Sequence, residues 1–317
     1  MPAPNFEELP MDVLLQILDP VDIKKRFEIW KMSKRVRFVV DQIKTKYDEM
    51  TIDCDENTVS IFLQIGNSSC KAKWSEEKDG GNYMEIVLDF LKCILNPTKI
   101  RVEMLQLISN NFDHLKKVVE LFLWISKTTN SKFHVKSASM KFQESALAPL
   151  ILSVVKPRTC EVLDIGCYWN PSKEFINLEQ IKDIDQFKQS KIVLLTDYGV
   201  LQLTELALLA NFEEFSVQVQ SMGPDDIIRL RDTLTNSVNF KRCAIKLRDQ
   251  FENTDEIARV LGKPVPDWWI FNGKHSCAIA DSDKLLHFSF QDKRLEVEKG
   301  DARAPDSDDS DDDWIFD

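Results

Sequence analysis

"LPMDVLLQILDPVDIKKRFEIWKMSKRVRFVVDQI", residues 9–43, is dense in leucine on its left and in lysine and arginine on its right. Val13, Leu14, Ile17 and Leu18 recur at helical spacing, and Pro10 stands in the first turn, where its missing amide leaves no hydrogen bond unmade. Asp19-Pro20 stops that helix, because the residue before a proline is pushed out of the helical region. A second helix is expected from Asp22 through Ile23, Phe27 and Trp30. Ser33 then caps a third with the stripe Val36, Val39, Val40 and Ile43. So small a unit buries too little surface to be secure alone. Its first helix also has apolar residues on more than one side, at Leu14, Leu15, Ile17 and Leu18, so a partner or the rest of the chain must cover them.

Over all 317 residues the chain is 43% hydrophobic and 29% charged, proportions that predict a folded body. Residues 51–74 carry β-branched residues broken by turn signals at Gly66 to Ser69, which predicts a hairpin or small meander. A helix is expected from Asn82 to Leu95. Strand-like runs follow at Ile100–Leu107, His134–Phe142, Cys160–Gly166, Lys191–Thr196, Glu214–Gln220 and Lys241–Leu247, with helical stretches between them. The strand-to-strand step of roughly 22 to 34 residues is that of a β/α array in which each unit covers its neighbour. The expected fold is therefore α+β or α/β: a three-helix N-terminal module, then an irregular, leucine-rich-repeat-like β/α solenoid with parallel strands. A doubly wound sheet is the competing arrangement; it would place a ligand at its switch point, and the G-x-G-x-x-G turn of a nucleotide site is absent.

Chemistry is sparse. The four histidines, His114, His134, His275 and His287, are isolated, and no nucleophile elbow, H-E-x-x-H helix or P-loop occurs. Asp53, Asp55 and Glu56 read as a solvated turn rather than a cation site. The expectation is a protein without catalytic activity, cofactor or metal. Seven cysteines without repeated short spacing read as reduced thiols, and the acidic start of the chain is unlike a signal peptide, so an intracellular setting, cytoplasmic or nuclear, is expected. No apolar run reaches the roughly 18 residues that span a bilayer. The net charge of -11 argues against general nucleic-acid binding.

Leu9-Pro10, Val13-Leu14, Ile17-Leu18, Met32-Ser33-Lys34-Arg35 and Val39-Val40-Asp41 resemble the F-box, the three-helix module that docks onto a Skp-type adaptor of cullin ubiquitin ligases. The "DPVD" of Asp19 to Asp22 comes about a turn earlier than is usual there. "KPRTCEVLDI" (156–165), "IDQFKQSKIVLL" (184–195) and "HFSF" (287–290) resemble the FTH-type domain that nematode F-box proteins of the A class carry behind the F-box. Arg158 stands where that family usually has glycine, and Phe187 where it often has tryptophan. The resemblance implies an F-box over residues 1–48, an FTH-type domain over 49–297 and an acidic tail over 298–317. It implies a substrate receptor of a Skp-cullin-F-box ligase that holds an unidentified target protein on its second domain. The adaptor surface it carries over is Leu9, Pro10, Val13, Leu14, Ile17 and Leu18, with Ile23 and Met32. A scaffold without ligase coupling is the alternative.

Three further features stand out. Lys24, Lys25, Arg26, Lys31, Lys34, Arg35 and Arg37 read as a solvated helix face or as steering for an acidic partner, and the family's adaptor is acidic. Trp268 and Trp269 are expected to cap the end of the array. In the tail, Ser307 and Ser310 lie among aspartates, where an acid-directed kinase would find them.

Overall fold

The computed structural model describes residues 9–142, 145–166, 178–195, 199–261, 274–280 and 282–301. The chain divides into two compact units, Met1–Gly199 and Val200–Asp317.

The first unit opens with three helices, α1 (Met11–Leu18), α2 (Ile23–Trp30) and α3 (Lys34–Val40). Pro10 sits just before α1 and its carbonyl accepts the first helical bond, from the Leu14 amide at 3.0 Å. The early "DPVD" turn is well formed: Asp22 caps α2 by accepting from the Lys24 amide at 2.9 Å. The Arg26 guanidinium ties the junction by donating to the carbonyls of Asp19 and Val21. Ser33 caps α3, accepting from the Val36 amide.

Strands β1 (Thr45–Cys54), β2 (Thr58–Ile65) and β3 (Ser68–Ser75) follow as an antiparallel meander. The β2–β3 turn is so short that only antiparallel pairing closes it, and Gly66 takes the positive φ of 54° that the turn requires. After α4 (Glu76–Asp79) come α5 (Tyr83–Ile94), β4 (Ile100–Ser109), α6 (Phe112–Thr129), β5 (His134–Phe142), α7 (Ala148–Val154), β6 (Val162–Gly166), α8 (Asp185–Lys188) and β7 (Ile192–Leu195). The sheet order here is β7-β6-β5-β4-β1-β2-β3, and the run from β7 to β1 is parallel.

In the second unit α9 (Leu206–Leu209), β8 (Glu214–Val219), α10 (Pro224–Asn236), β9 (Arg242–Leu247) and α11 (Thr254–Val260) continue the β/α alternation. Strands β8 and β9 pair in parallel, and Phe215, Val217 and Val219 are buried together as their spacing predicts. Then β10 (Lys274–Ala278), β11 (Lys284–Gln291) and β12 (Arg294–Asp301) add to β9 in the order β9-β12-β11-β10, all antiparallel.

The expected leucine-rich-repeat-like solenoid with parallel strands is thus corrected to a mixed sheet. Antiparallel hairpins take over wherever the connection between strands is too short for a helix. The doubly wound alternative is also set aside for the first unit. Three of its parallel strands bury alternate residues along their second halves, Met50 and Ile52 on β1, Leu105 and Leu107 on β4, Ala138 and Met140 on β5. Consecutive helices lie side by side, α5 on α6, α6 on α7 and α7 on α8, which makes one helical layer on one sheet face.

The alternation reverses once, at the same level on three strands. Tyr47 is followed by Met50, Val102 by Leu105 and Val135 by Ala138 in the buried rows, a step of three where a flat strand has two. Asp48, Glu103 and Lys136 stand at this level and are skipped in the strand pairing. Glu103 bridges Lys46 at 3.0 Å and Lys136 at 3.7 Å across the bend.

Candidate interaction surfaces

The three helices are anchored to the body of the first unit. Phe27 of α2 meets Phe90 of α5 edge to face at 5.0 Å, and Phe90 is in turn tilted against Trp74 of β3 at 5.2 Å. Trp30 donates its indole N–H to Asp41 at 3.1 Å and carries the Arg37 guanidinium over its ring at 4.1 Å. Asn96 donates to the Asp41 carbonyl at 3.1 Å, which closes the end of α3 onto the α5–β4 turn. Partial burial raises the Asp41 carboxyl above the usual range, against the pull of the Trp30 hydrogen bond and the Arg37 charge.

This packing sorts the residues of the expected adaptor surface into two sets. Leu14 and Leu18 are 0% exposed and Ile23 is buried, so these three belong to the core of the helical module. That is a correction of their expected surface placement: the rest of the chain covers them, by the i, i+4 spacing that turns one side of α1 inward. The outward side remains. Pro10 is exposed, Leu9 and Val13 are half-buried, Ile17 is 42% exposed and Met32 is 69% exposed. Pro10, Val13 and Ile17 recur at helical spacing on one side of α1. Phe38, on α3 and 54% exposed, is a further outward apolar side chain that the sequence reading does not name, as is Met11. Only the burial of Val36, Val39 and Val40 shows that Phe38 must point outward. Four of the nine large apolar side chains exposed among the described residues therefore lie in this helical module, Met11, Ile17 and Phe38 on its helices and Met32 in the turn between α2 and α3, an excess that solvent alone does not explain.

Part of the expected basic face is structural. Arg26 and Arg35 cap carbonyls, the latter donating to Leu9 O at 2.7 Å, and Lys31 and Arg37 cover aromatic rings. Lys24, Lys25 and Lys34 are left to solvent.

The second surface is the sheet face away from the helices. Register places Phe62, Thr51, Gln106, Ser139, Asp164 and Leu194 in one row across six strands. The Ser139 hydroxyl donates to Asp164 at 2.8 Å, the Thr51 hydroxyl to Gln106 at 3.3 Å, and Lys141 lies 3.5 Å from Asp164. Met104, one row away, is exposed. The sequence reading named no residue of this row; its only trace was the half of each alternation that was not apolar.

The residues weighed for chemistry are held in structural roles. His114 is fixed between the Tyr83 hydroxyl at 2.9 Å and the Asp55 carbonyl at 3.1 Å. Asp55 accepts from Asn110, which holds its carboxyl below the usual range. His287 meets the Ser276 hydroxyl at 2.9 Å. Burial pushes the thiols of Cys54 and Cys93 up to about 12 and that of Cys160 to about 11, so they stay protonated. Among the described residues no group of His, Cys, Asp and Glu is arranged to hold a metal ion, and no helix is long and apolar enough to cross a membrane. Trp268, Trp269, Ser307 and Ser310 lie outside the described residues, and the acidic tail expected from residue 298 begins inside β12.

Residues 116–264 match the family model of the FTH domain. The chain is 21% identical over 282 residues to F-box A protein 224 of Caenorhabditis elegans, covering 81% of this chain and 70% of that protein. Both matches make the chain similar to the nematode F-box proteins of the A class. The match runs from α6 to just past α11, so it takes in segments 156–165 and 184–195, which carry the resemblance. A solved structure of Dom34 from S. cerevisiae, a translation termination-like factor, aligns with 38% of this chain and 40% of its own length at 13% identity, with a TM-score of 0.20. So partial an overlap carries no inference for the fold.

The FTH match also gives meaning to one substitution. Arg158, where that family usually has glycine, sits at φ 65°, in the left-handed region that glycine enters without steric cost. Phe187, in place of the frequent tryptophan, is buried.

Proposed function

We propose that this protein is the substrate-recognition subunit of a Skp-cullin-F-box type ubiquitin ligase. The outward side of the three helices binds the Skp-type adaptor, and through it a cullin. The FTH-containing body holds a target protein, and ubiquitin reaches the target by proximity, without catalysis by this chain. The observation that carries the reading is the share of exposed apolar side chains, Ile17, Met32 and Phe38 among them, that falls in one small module anchored in the body through Phe27. A surface kept apolar in a chain of net charge -11 is one that another protein covers. The relative's F-box name and the FTH match support the same reading. Lys24, Lys25 and Lys34 speed the encounter with an acidic adaptor rather than hold it. The complex acts inside the cell.

Affinity purification of the full chain from nematode cells, with bound proteins identified, tests this. Recovery of a Skp-type adaptor together with a cullin is expected. Recovery of target-like partners without either would favour the scaffold without ligase coupling.

A further inference from the structure

The parallel strands β1, β4 and β5 begin together, at Thr45, Ile100 and His134, on the floor of an open cleft of about 710 Å³. Its walls carry Lys44, Lys46, Lys99, Arg101, Lys132 and Lys156, from four separate segments of the first unit. Among the described residues only Lys46 of these six has an ion-pair partner, Glu103. A plain structural role would be to neutralise the carbonyl ends of α5, α6 and α7, which finish beside the cleft. Each helix end supplies only about half a negative charge, so a surplus of between about three and four positive charges remains after Glu103 is included. In a chain whose net charge is -11, that concentration of one sign at one edge of the sheet calls for an anionic partner.

We propose that this cleft binds an acidic, extended segment of a target protein, several aspartate or glutamate side chains long. Five of the six cations are lysines, point charges spread along the cleft rather than the paired forks that grip a single phosphate. The lining has no aromatic side chain for base stacking besides the His134 ring, which sets nucleic acid aside. The charges line a recess, not a flat or convex face, which sets a membrane surface aside. Asn130, Ser131 and Thr98 add neutral donors and acceptors for a peptide backbone. His134 stands within this field. Desolvation, Arg101 and Lys156 together hold its ring below the usual histidine range, while Glu103 acts the other way. A bound carboxylate opposes Arg101 and Lys156, so the midpoint of His134 rises on binding.

The proposal deepens the receptor reading and rests on it for the claim that the segment belongs to a target. Peptide binding is measured without adaptor, and adaptor capture without peptide, so each can fail alone. The test is fluorescence anisotropy of the full chain with a labelled ten-residue Asp/Glu-rich peptide and its Asn/Gln counterpart. The acidic peptide binds and weakens with added salt, while Lys132→Glu with Lys156→Glu weakens it roughly tenfold or more. Lys116→Glu with Lys117→Glu, an equal charge change on exposed α6 positions away from the cleft, leaves binding within about twofold. The His134 ring titration, followed by NMR, moves up with the acidic peptide and not with the neutral one. Equal binding of both peptides, equal loss in both charge variants, no binding of the acidic peptide, or a cleft-dependent affinity for RNA or anionic vesicles in place of the peptide would overturn the assignment.

Discussion

The N-terminal helices and the parallel strands behind them solve opposite problems with the same residue types. On β1, β4 and β5 the inward half of each alternation is apolar and the outward half is mostly polar or charged, as at Thr51, Gln106 and Ser139. The strands therefore meet water without assistance. On α1 and α3 the inward side is just as apolar, with Leu14, Leu18, Val36 and Val39 buried, yet the outward side is apolar too, at Ile17 and Phe38. Two greasy sides on a short helix mean two covers. One is the body of the chain, through Phe27 and Phe90; the proposed adaptor is the other.

That contrast can be broken most forcefully at its inner face. Leu14→Asp puts a carboxylate where no water reaches and should cost about 4 kcal/mol or more, seen as early loss of the helical module in chemical denaturation. Unchanged denaturation would mean α1 is not packed as described. Removing the indole donor with Trp30→Phe leaves Asp41 without its partner and should cost about 1 to 2 kcal/mol by the same measurement. Arg158→Gly, in the body, works the other way. Relief of left-handed strain outweighs the added freedom of the unfolded chain, for a net gain of about 0.5 kcal/mol or a small rise in melting temperature.

The smallest effect concerns pH. Because burial raises the folded Asp41 carboxyl, the folded state holds that proton more tightly than the unfolded chain. Its contribution to stability therefore falls as pH rises from the ordinary carboxylate range through the folded value. Asp41→Asn keeps an oxygen facing Trp30 and has no charge to desolvate. It should flatten that fall and leave stability at neutral pH within about 0.5 kcal/mol of the parent. Denaturation midpoints compared across the acidic range decide it.

Much of the architecture was legible because it rests on period. The strands from β4 to β9 fall within about two residues of their expected limits, since each is a run of alternation set off by helical spacing. The cap at Ser33 and the break at Asp19-Pro20 were equally local, although Asp19 itself keeps helical dihedrals, φ -60° and ψ -43°, and it is Pro20, with no amide to donate, that ends the ladder. What lay beyond the sequence was set by contacts distant along the chain. Leu14 and Ile17 look alike in a helical stripe, and only the placement of α3 beside α1 decides which is buried. The bend at Asp48, Glu103 and Lys136 is a property of three strands in register, invisible in any one of them. The mixed sheet escaped the reading because β10 to β12 are antiparallel hairpins behind a β/α run, and the strand-to-strand step says nothing about direction. The cleft at the start of β1, β4 and β5 draws lysines from four segments that are unremarkable one by one.

The central claim, that the outward side of the helices is kept apolar for an adaptor, is tested most directly at that side alone. Ile17→Asp combined with Phe38→Asp changes two exposed positions and should alter stability by less than about 1 kcal/mol. Capture of a purified Skp-type adaptor by this variant and by the parent chain, each shown by its melting curve to be folded, is the deciding measurement. The account predicts that the parent captures the adaptor and the folded variant does not. Equal capture by both, or capture by neither, would contradict it.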